Sequence, residues 1–296
     1  MRQAERGFLL LTSHLGDPDS KPLTVAQFRT LINRMQAMEK PEENRELTVQ
    51  DLLALGYAGE TAENILYLLS RQEQLDYYVN QAGKYDCYPI TRISKLYPMV
   101  LRQHLGIDCP GCLWAKGDSS LLSRPAVAVV GSRDLQRENQ AFAEEAGRQA
   151  ALQGYVLISG NARGADQAAQ ESCLQHGGQV ISIVADSLAK CKDRPGVLYL
   201  SEDGFNAGFS SIRALSRNRL IHTMGALTLV AQCSYGKGGT WSGTTQNLRH
   251  NWSPVCCFQD GSDSVRALQE MGAKAVDVYD LQDISALQDE KITFFD

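Results

Sequence analysis

Hydrophobic positions change their spacing along the chain. Within residues 1–84, apolar side chains recur every three or four positions, as at Val25, Phe28 and Leu31. This spacing is that of helices with one buried face. Thr48 precedes a second run of this kind and has the side chain of a helix N-cap. We expect this segment to form a small helical module.

From residue 126 onward, short apolar runs alternate with helical stretches. Residues 126–130 are continuously apolar, which is typical of a strand that is buried on both faces. Similar runs predict further strands at 155–158, 180–184, 197–200, 227–231, 254–258 and 275–278, with helices at 139–152 and 165–176. The alternation predicts an α/β domain over residues 126–280, a Rossmann-like parallel sheet with helices on both faces.

Two further segments do not follow either pattern. In residues 85–125, prolines and a glycine interrupt short apolar pieces, at Pro89, Pro98, Pro110 and Gly111. We expect this segment to be a connector that packs on the main domain. Residues 281–296 are expected to form a C-terminal tail.

The charge is unevenly distributed along the chain. The formal net charge of −5 argues against a protein that coats nucleic acid by bulk attraction. Residues 204–259, however, contain no Asp or Glu, and their positive side chains are Arg213, Arg217, Arg219, Lys237 and Arg249. We expect an anionic partner to bind this segment.

No stretch of the chain has the composition of a membrane span. About 18 consecutive apolar residues would be needed, and the N-terminal apolar run at residues 7–11 is too short for a signal peptide core. We expect a cytoplasmic protein with no membrane partner.

Three glycine-rich loops follow predicted strands, at residues 131–133, 159–166 and 236–245. Ligands of parallel sheets bind at the carboxyl ends of the strands, where strand order reverses, and the three loops converge there. Glycine amides, hydroxyls and helix N-termini together are suited to phosphate. The dinucleotide pattern GxGxxG and the Walker pattern are both absent, so no cofactor is expected.

Two arginines flank Asn218 near the start of an apparent helix. Arg217 and Arg219 cannot both be buried without partners. Either a phosphate or a salt bridge to Asp166 or Asp186 would satisfy them, and the lack of acids in residues 204–259 favours the phosphate.

Cys109 and Cys112 have the spacing of half a zinc site, and also of a redox pair. No second pair follows at the spacing of a zinc finger. We therefore expect no metal and treat both as buried thiols.

Five motifs occur in an order that resembles the DprA/Smf family of DNA-processing proteins. The matching segments are 113–117, 129–133, 159–166, 217–221 and 242–245. The resemblance implies a Rossmann-like fold, binding of single-stranded DNA, a homodimer, and loading of the RecA recombinase in transformation or repair.

The resemblance and the loops together define a candidate site for DNA phosphates. Its members are Gly131, Ser132, Arg133, Ser159, Gly160, Arg163, Gly164, Asp166, Arg217, Asn218, Arg219, Lys237, Ser242, Gly243 and Thr244. Lys190 is a further candidate for a basic contact, and Trp241 for base stacking. This chain departs from the family at Gln170, where His is usual, at residues 185–194, and at residues 236–241.

The preferred function is a non-enzymatic binder of single-stranded DNA. Four or five contacted phosphates predict a slope of about −3 for log affinity against log salt. The alternative is a nucleotide-sensing or nucleotide-hydrolysing protein, because residues 238–240 partly match the loop of phosphoribohydrolases. Hydrolysis is disfavoured, since residues 241–259 contain no acid. A third reading is an adaptor in a bacterial defence or mobile-element system.

Overall fold

The N-terminal part of the chain consists of helices that pack through apolar side chains. The computed structural model describes residues 1–36 and 46–288. Leu11, Leu31, Leu52 and Ile65 come from four different helices and are buried in one cluster. The helices of this part are α1 (Gln3–Thr12), α2 (Val25–Gln36), α3 (Val49–Ala54), α4 (Gly59–Ser70) and α5 (Gln72–Gly83).

The predicted N-cap at Thr48 is confirmed. Its hydroxyl accepts a hydrogen bond from the Asp51 amide, and the Asp51 carboxylate accepts one from the Thr48 amide at 2.8 Å. Such a capping box satisfies amides that have no partner within the helix. The helix therefore begins where the local sequence predicts it.

Within the described residues, one sheet of nine strands runs through the molecule. The strands are β1 (Cys87–Thr91), β2 (Cys112–Lys116), β3 (Ala126–Val130), β4 (Val156–Ser159), β5 (Gln179–Ile183), β6 (Val197–Ser201), β7 (Thr228–Val230), β8 (Val255–Phe258) and β9 (Lys274–Val276). Their order is β1-β2-β6-β5-β4-β3-β7-β8-β9. In this order, every neighbouring pair of strands between β6 at one side and β9 at the other edge is parallel. This confirms the predicted fold class.

The first two strands are antiparallel, and the sequence does not predict them. β1 pairs with β2 so that Pro89 lies opposite Trp114, and β2 pairs with β6. A proline lacks the amide that a central strand needs, but β1 is the edge strand and tolerates it. The prolines led us to expect a connector, but residues in this segment form two strands that extend the sheet.

Helices cover both faces of the sheet. They are α6 (Met99–Leu105), α7 (Arg137–Leu152), α8 (Ala165–Gln175), α9 (Ser211–Met224), α10 (Gly238–His250) and α11 (Asp263–Glu270). Val127 and Val129 are buried with Phe142 of α7, whereas Ala128 is buried with Leu220 of α9. Successive side chains of a strand point to opposite faces, so a strand with helices on both sides is apolar throughout.

The N-terminal helices also pack on the sheet. Leu10 of α1 and Leu75 of α5 are buried in the same cluster as Trp114 and Val197 of the sheet. At the other end of the chain, Leu281 is fully buried in that cluster, and residues 289–296 lie outside the described part. The proposed domain boundaries at residues 84, 125 and 280 stay a prediction.

Two helices begin earlier than the sequence suggests. Helix α9 begins at Ser211, because the Ser210 hydroxyl accepts the Arg213 amide, so Arg217 lies in the middle of the helix and not near its start. Helix α10 begins at Gly238, and the supposed loop from 238 to 245 is helical. Exposed Ile212 and Leu215 had obscured the periodicity of the first turn of α9.

Candidate phosphate-binding site

A cavity of about 460 Å³ opens where the strand order reverses, between the carboxyl ends of β3 and β7. Its walls include Arg133, Asp166, Phe209, Arg217, Asn218 and Gly239. We call it the central cavity. A second cavity of about 330 Å³, the side cavity, shares Arg133, Phe209 and Arg217 with it. The predicted position of a ligand site thus coincides with a real depression.

The turn after β3 carries Arg133 to the mouth of both cavities. The turn is held by Ser132, whose amide donates to the Gln232 carbonyl at 2.9 Å and whose carbonyl accepts the Ala165 amide at 3.1 Å. A Cβ at Gly131 would overlap the Cβ of Ala165, so only glycine allows this approach. The exposed Arg133 side chain has no hydrogen-bond or ion-pair partner among residues 1–36 and 46–288.

The loop after β4 is organised around a buried carboxylate. Asp166 accepts the backbone amides of Gly160 at 3.1 Å and Ala162 at 3.2 Å. Burial raises the pKa of Asp166, and the nearby Arg217 guanidinium and the two amides oppose that rise. Gly164 has a φ of +87° and packs its Cα against the carbonyls of Ser132 and Arg133. Asp166 thus shapes the loop through its Oδ2 atom, which accepts both amides.

Arg217 forms the floor that the two cavities share. It is 8% exposed, and its Nη1 donates to the Ile183 carbonyl at 2.9 Å and lies 4.0 Å from the Asp166 carboxylate. Gly160 makes room for it, since a Cβ there would overlap the guanidinium. Burial lowers the pKa of Arg217, although an arginine stays protonated at neutral pH. Its Nε has no acceptor within the described part of the chain.

The N-terminus of α10 closes the opposite wall. Thr240 donates to the Gly131 carbonyl at 2.9 Å, and Asn218 donates to the Gly239 carbonyl at 3.1 Å, so the helix is tied to both neighbouring walls. The side chain of Lys237 at the N-cap position does not cap the helix. This wall therefore presents three groups that favour an anion: the amides of the first turn of α10, the positive end of its helix dipole, and the exposed Lys237 side chain.

Several predicted cations are already paired. Arg219 points away from the central cavity and donates to Glu202 at 3.0 Å and to the Asp108 carbonyl at 2.7 Å. Arg163 pairs with Asp134 at 2.7 Å, at the rim of the side cavity. Lys190 pairs with Asp186 at 3.1 Å. The absence of acids in residues 204–259 therefore does not leave every cation there free, because Glu202 reaches Arg219 from outside that segment.

Arg213 is also used inside the protein. Its guanidinium donates to the Asp203 carboxylate at 2.7 Å, to the Ser201 hydroxyl at 2.8 Å and to three backbone carbonyls. We conclude that Arg213 fixes the chain between β6 and α9.

Other predicted site residues lie away from the cavities. Ser159 is fully buried and accepts a hydrogen bond from Gln170 at 2.6 Å. Gly243 and Thr244 are buried within α10, Gly243 against Asn218 and His222 of α9, and Ser242 is half-buried one residue earlier. Gln170, where the family usually has His, thus bonds a strand residue below the site.

The aromatic side chain at the cavities is not the predicted one. Trp241 packs edge-on against Tyr235 with centroids 5.0 Å apart, and Trp241 also packs on the core below it. Phe209 is instead 58% exposed and lines both cavities. The sequence reasoning missed it, and its only local signal is an aromatic residue that follows a glycine in the acid-free segment.

The cysteine pair shows no features of a metal site. Cys109 is buried and Cys112 half-buried, and burial raises the pKa of the Cys112 thiol. Within the described ranges, no three His, Cys, Asp or Glu side chains are grouped so that they could hold a metal ion. In the same ranges, every helix is too short or too polar to cross a membrane.

Comparison with known proteins supports the resemblance seen in the motifs. A sequence model of the family described as DNA recombination-mediator protein A matches residues 89–287. The DNA processing protein DprA of Streptococcus pneumoniae is 30% identical over 208 residues, which are 64% of this chain and 68% of that protein.

Two solved structures share the fold. The X-ray structure of DNA processing protein A from Streptococcus pneumoniae has a TM-score of 0.68 at 23% identity and covers 98% of this chain and 99% of that chain. The DNA processing protein A of Helicobacter pylori, studied for its single-stranded DNA binding mode, has a TM-score of 0.56 at 24% identity. The latter match covers 66% of this chain and 94% of that chain.

Proposed function

Because the chain belongs to the DNA recombination-mediator protein A family, we propose that its central cavity binds the backbone phosphates of single-stranded DNA. The predicted resemblance to this family is confirmed. The relative from Helicobacter pylori, which has the same fold, is described by its binding of single-stranded DNA. The local chemistry of the cavity supports the same ligand.

The observation that carries the proposal is the state of Arg217. Its guanidinium is buried, donates to the Ile183 carbonyl, and has its nearest described carboxylate, that of Asp166, 4.0 Å away, so an anion in the cavity would offset the cost of burying this charge. Arg133 stands at the mouth above it, and the first turn of α10 faces it across the cavity. A phosphate in this space would meet two guanidinium groups and a helix N-terminus, each of which favours an anion.

The number of free cations sets the expected salt dependence. Arg133, Arg217 and Lys237 line the central cavity without a close carboxylate partner, apart from Asp166 at 4.0 Å from Arg217. With about −0.7 per phosphate for single strands, three contacts predict a slope of about −2. This is shallower than the slope of about −3 expected from the sequence, because Arg163, Arg219 and Lys190 are paired.

Binding is proposed to occur without catalysis. The carboxylate at the central cavity is Asp166, whose Oδ2 accepts two backbone amides and lies 4.0 Å from Arg217, which supports a structural role for it. We further propose that the protein acts in the cytoplasm as a homodimer and passes bound DNA to the RecA recombinase, as the family resemblance implies. Light scattering tests the dimer, and RecA filament assembly on covered single strands tests the transfer.

Fluorescence anisotropy with labelled oligo-dT and its duplex, across a salt series, tests DNA binding. We expect tight binding to the single strand, a slope near −2, and a loss of roughly tenfold in affinity for Arg133→Ala. Arg249→Ala is the matched control, because Arg249 belongs to the same acid-free segment but lies in the last turn of α10. A flat salt response, or equal losses for both variants, would contradict the proposal.

A free nucleotide is the second candidate ligand. The volume of the central cavity, about 460 Å³, falls within the usual range for small-molecule sites. Competition by dTMP against oligo-dT tests this reading. Displacement at equal nucleotide concentration would favour a mononucleotide sensor, and release of free base would show hydrolysis.

A further inference from the structure

The segment between β6 and α9 joins the N-terminal helices to the candidate site. We call residues 203–210 the connecting segment. At one end, Phe205 and Asn206 contact Tyr78 of α5. At the other end, Phe209 lines both the central and the side cavity. Only two residues lie between Asn206 and Phe209, so a shift of Asn206 is passed on to Phe209 through a short stretch of backbone.

Tyr78 holds the first end by packing and by a hydrogen bond. Its hydroxyl donates to Asn206 Oδ1 at 2.9 Å, and its ring lies 5.0 Å from Phe205 and 5.3 Å from Trp114, between centroids. Gly204 approaches it so closely that a Cβ would lie 2.7 Å from the Tyr78 hydroxyl. Burial raises the pKa of Tyr78 to about 12, so the hydroxyl remains a donor at neutral pH.

Arg213 holds the middle of the connecting segment. Its Nη1 donates to the carbonyls of Ala207 at 2.7 Å and Gly208 at 2.6 Å, and to Ala185 of the side cavity at 2.9 Å. Phe209 follows directly, and its side chain is mostly exposed. The position of Phe209 therefore depends on backbone that Tyr78 and Arg213 hold, together with the Asp186 carboxylate, which interacts with the Phe209 amide.

We propose that Tyr78 is a positioning residue for DNA binding, which places Phe209 at the shared mouth of the two cavities through the connecting segment. This inference rests on the proposed function. Tyr78 precedes residues 89–287, the part that the family sequence model matches. The N-terminal helices thus contribute to the geometry of a site whose ligand groups all lie in the sheet domain.

The first test is Tyr78→Phe in the full chain, which removes the hydroxyl and keeps the ring. We expect affinity for oligo-dT to fall roughly three- to tenfold, the scale of one hydrogen bond, with an unchanged salt slope because no cation is lost. Asn206→Ala removes the same bond from an exposed position and should give the same loss. Tyr77→Phe is the control, since Tyr77 is exposed on the same helix.

A double-mutant cycle with Phe209→Ala separates positioning from a general loss of structure. If Tyr78 acts through Phe209, Tyr78→Phe has no further effect on affinity in the Phe209→Ala background. Equal losses in both backgrounds, or no loss in the wild-type background, overturn this inference alone. Absence of any Arg133-dependent binding by the wild type would instead overturn the proposed function.

Discussion

The central cavity and the surface around it contain similar numbers of cations but differ in what those cations contact. At the centre, Arg133 and Lys237 have no carboxylate partner within the described residues, and Arg217 is 4.0 Å from one. Around it, four cations that the sequence nominates are paired, namely Arg163 with Asp134, Lys190 with Asp186, Arg213 with Asp203 and Arg219 with Glu202. Positive potential therefore depends on pairing and not on the count of basic residues.

The ion pairs around the central cavity also limit the kind of ligand that can bind. Paired surface cations contribute little attraction, because their fields largely cancel at the distance of a passing strand. A polyanion would thus be held at one point and not along a broad basic surface. This agrees with the overall acidic charge of −5, which disfavours unspecific coating of nucleic acid.

The largest expected difference lies between two arginines on the same helix. Arg217→Ala should lower oligo-dT affinity about 100-fold or more and reduce the free energy of unfolding by about 3 kcal/mol, because Asp166 loses its buried counter-charge. Arg219→Ala should also reduce stability, since Glu202 is buried, but change affinity less than about twofold. Urea denaturation measures the change in stability of both variants, and fluorescence anisotropy measures the change in affinity. Equal losses of affinity would show that Arg217 in the central cavity and Arg219 outside it do not differ in DNA binding.

A smaller loss of affinity is expected when a side chain at position 160 occupies the space of the Arg217 guanidinium. In Gly160→Ala the new Cβ would overlap the guanidinium, which must leave its place, and we expect affinity to fall about tenfold. Gly7→Ala is a suitable comparison, because no atom lies within 4 Å of the added Cβ and α1 gains helix propensity. Unchanged affinity in Gly160→Ala would show that DNA binding does not require the Arg217 guanidinium to lie where it does in this structure.

Releasing a paired cation should strengthen binding modestly. Asp134→Asn frees Arg163 at the rim of the side cavity, so we expect about two- to fivefold tighter binding and a salt slope more negative by up to about 0.7. Asp263→Asn breaks an exposed pair with Arg266 on α11 and should leave binding unaltered. A salt titration of both variants decides whether the ion pair limits the site.

The smallest effect on binding is expected from His222, which lines the central cavity but adds no charge. Burial lowers its pKa to about 3, from an ordinary value of 6.5. Between these pH values the unfolded chain binds a proton that the folded chain does not. Stability is therefore fully present above pH 6.5 and falls by about 1.4 kcal/mol per unit as pH decreases toward 3.

Two measurements test the predicted behaviour of His222. Urea denaturation between about pH 5 and about pH 8 should show the slope in the wild type and a flatter profile in His222→Gln. The salt slope of oligo-dT binding should be the same at pH 6.5 and at about pH 8, because the cavity keeps its charge. A steeper slope at the lower pH would mean that His222 becomes a cation within the site.

Local sequence patterns predicted most of the sheet and the position of the central cavity at its carboxyl edge. Apolar runs such as 126–130 can only be satisfied between two layers of helices, and glycine at 131 and 160 allows contacts that no side chain would permit. The helix starts of α9 and α10 were placed too late, because exposed Leu215 and the glycines at 238 and 239 hide the helical period. Ser242 and Thr244 were nominated from the family motif at 242–245, in a segment taken as a loop that is helical in the structure.

By itself, the sequence determined the class of fold, the convergence of the β3 and β4 turns, and the presence of arginines there, because these follow from residues close together in the chain. Only the tertiary structure decided which arginines are available. Glu202 reaches Arg219 from another strand, and Asp134 reaches Arg163 from another loop. Charge pairing depends on distance in space, and a carboxylate that is distant in the chain, as in these two pairs, leaves no mark in the sequence around the cation.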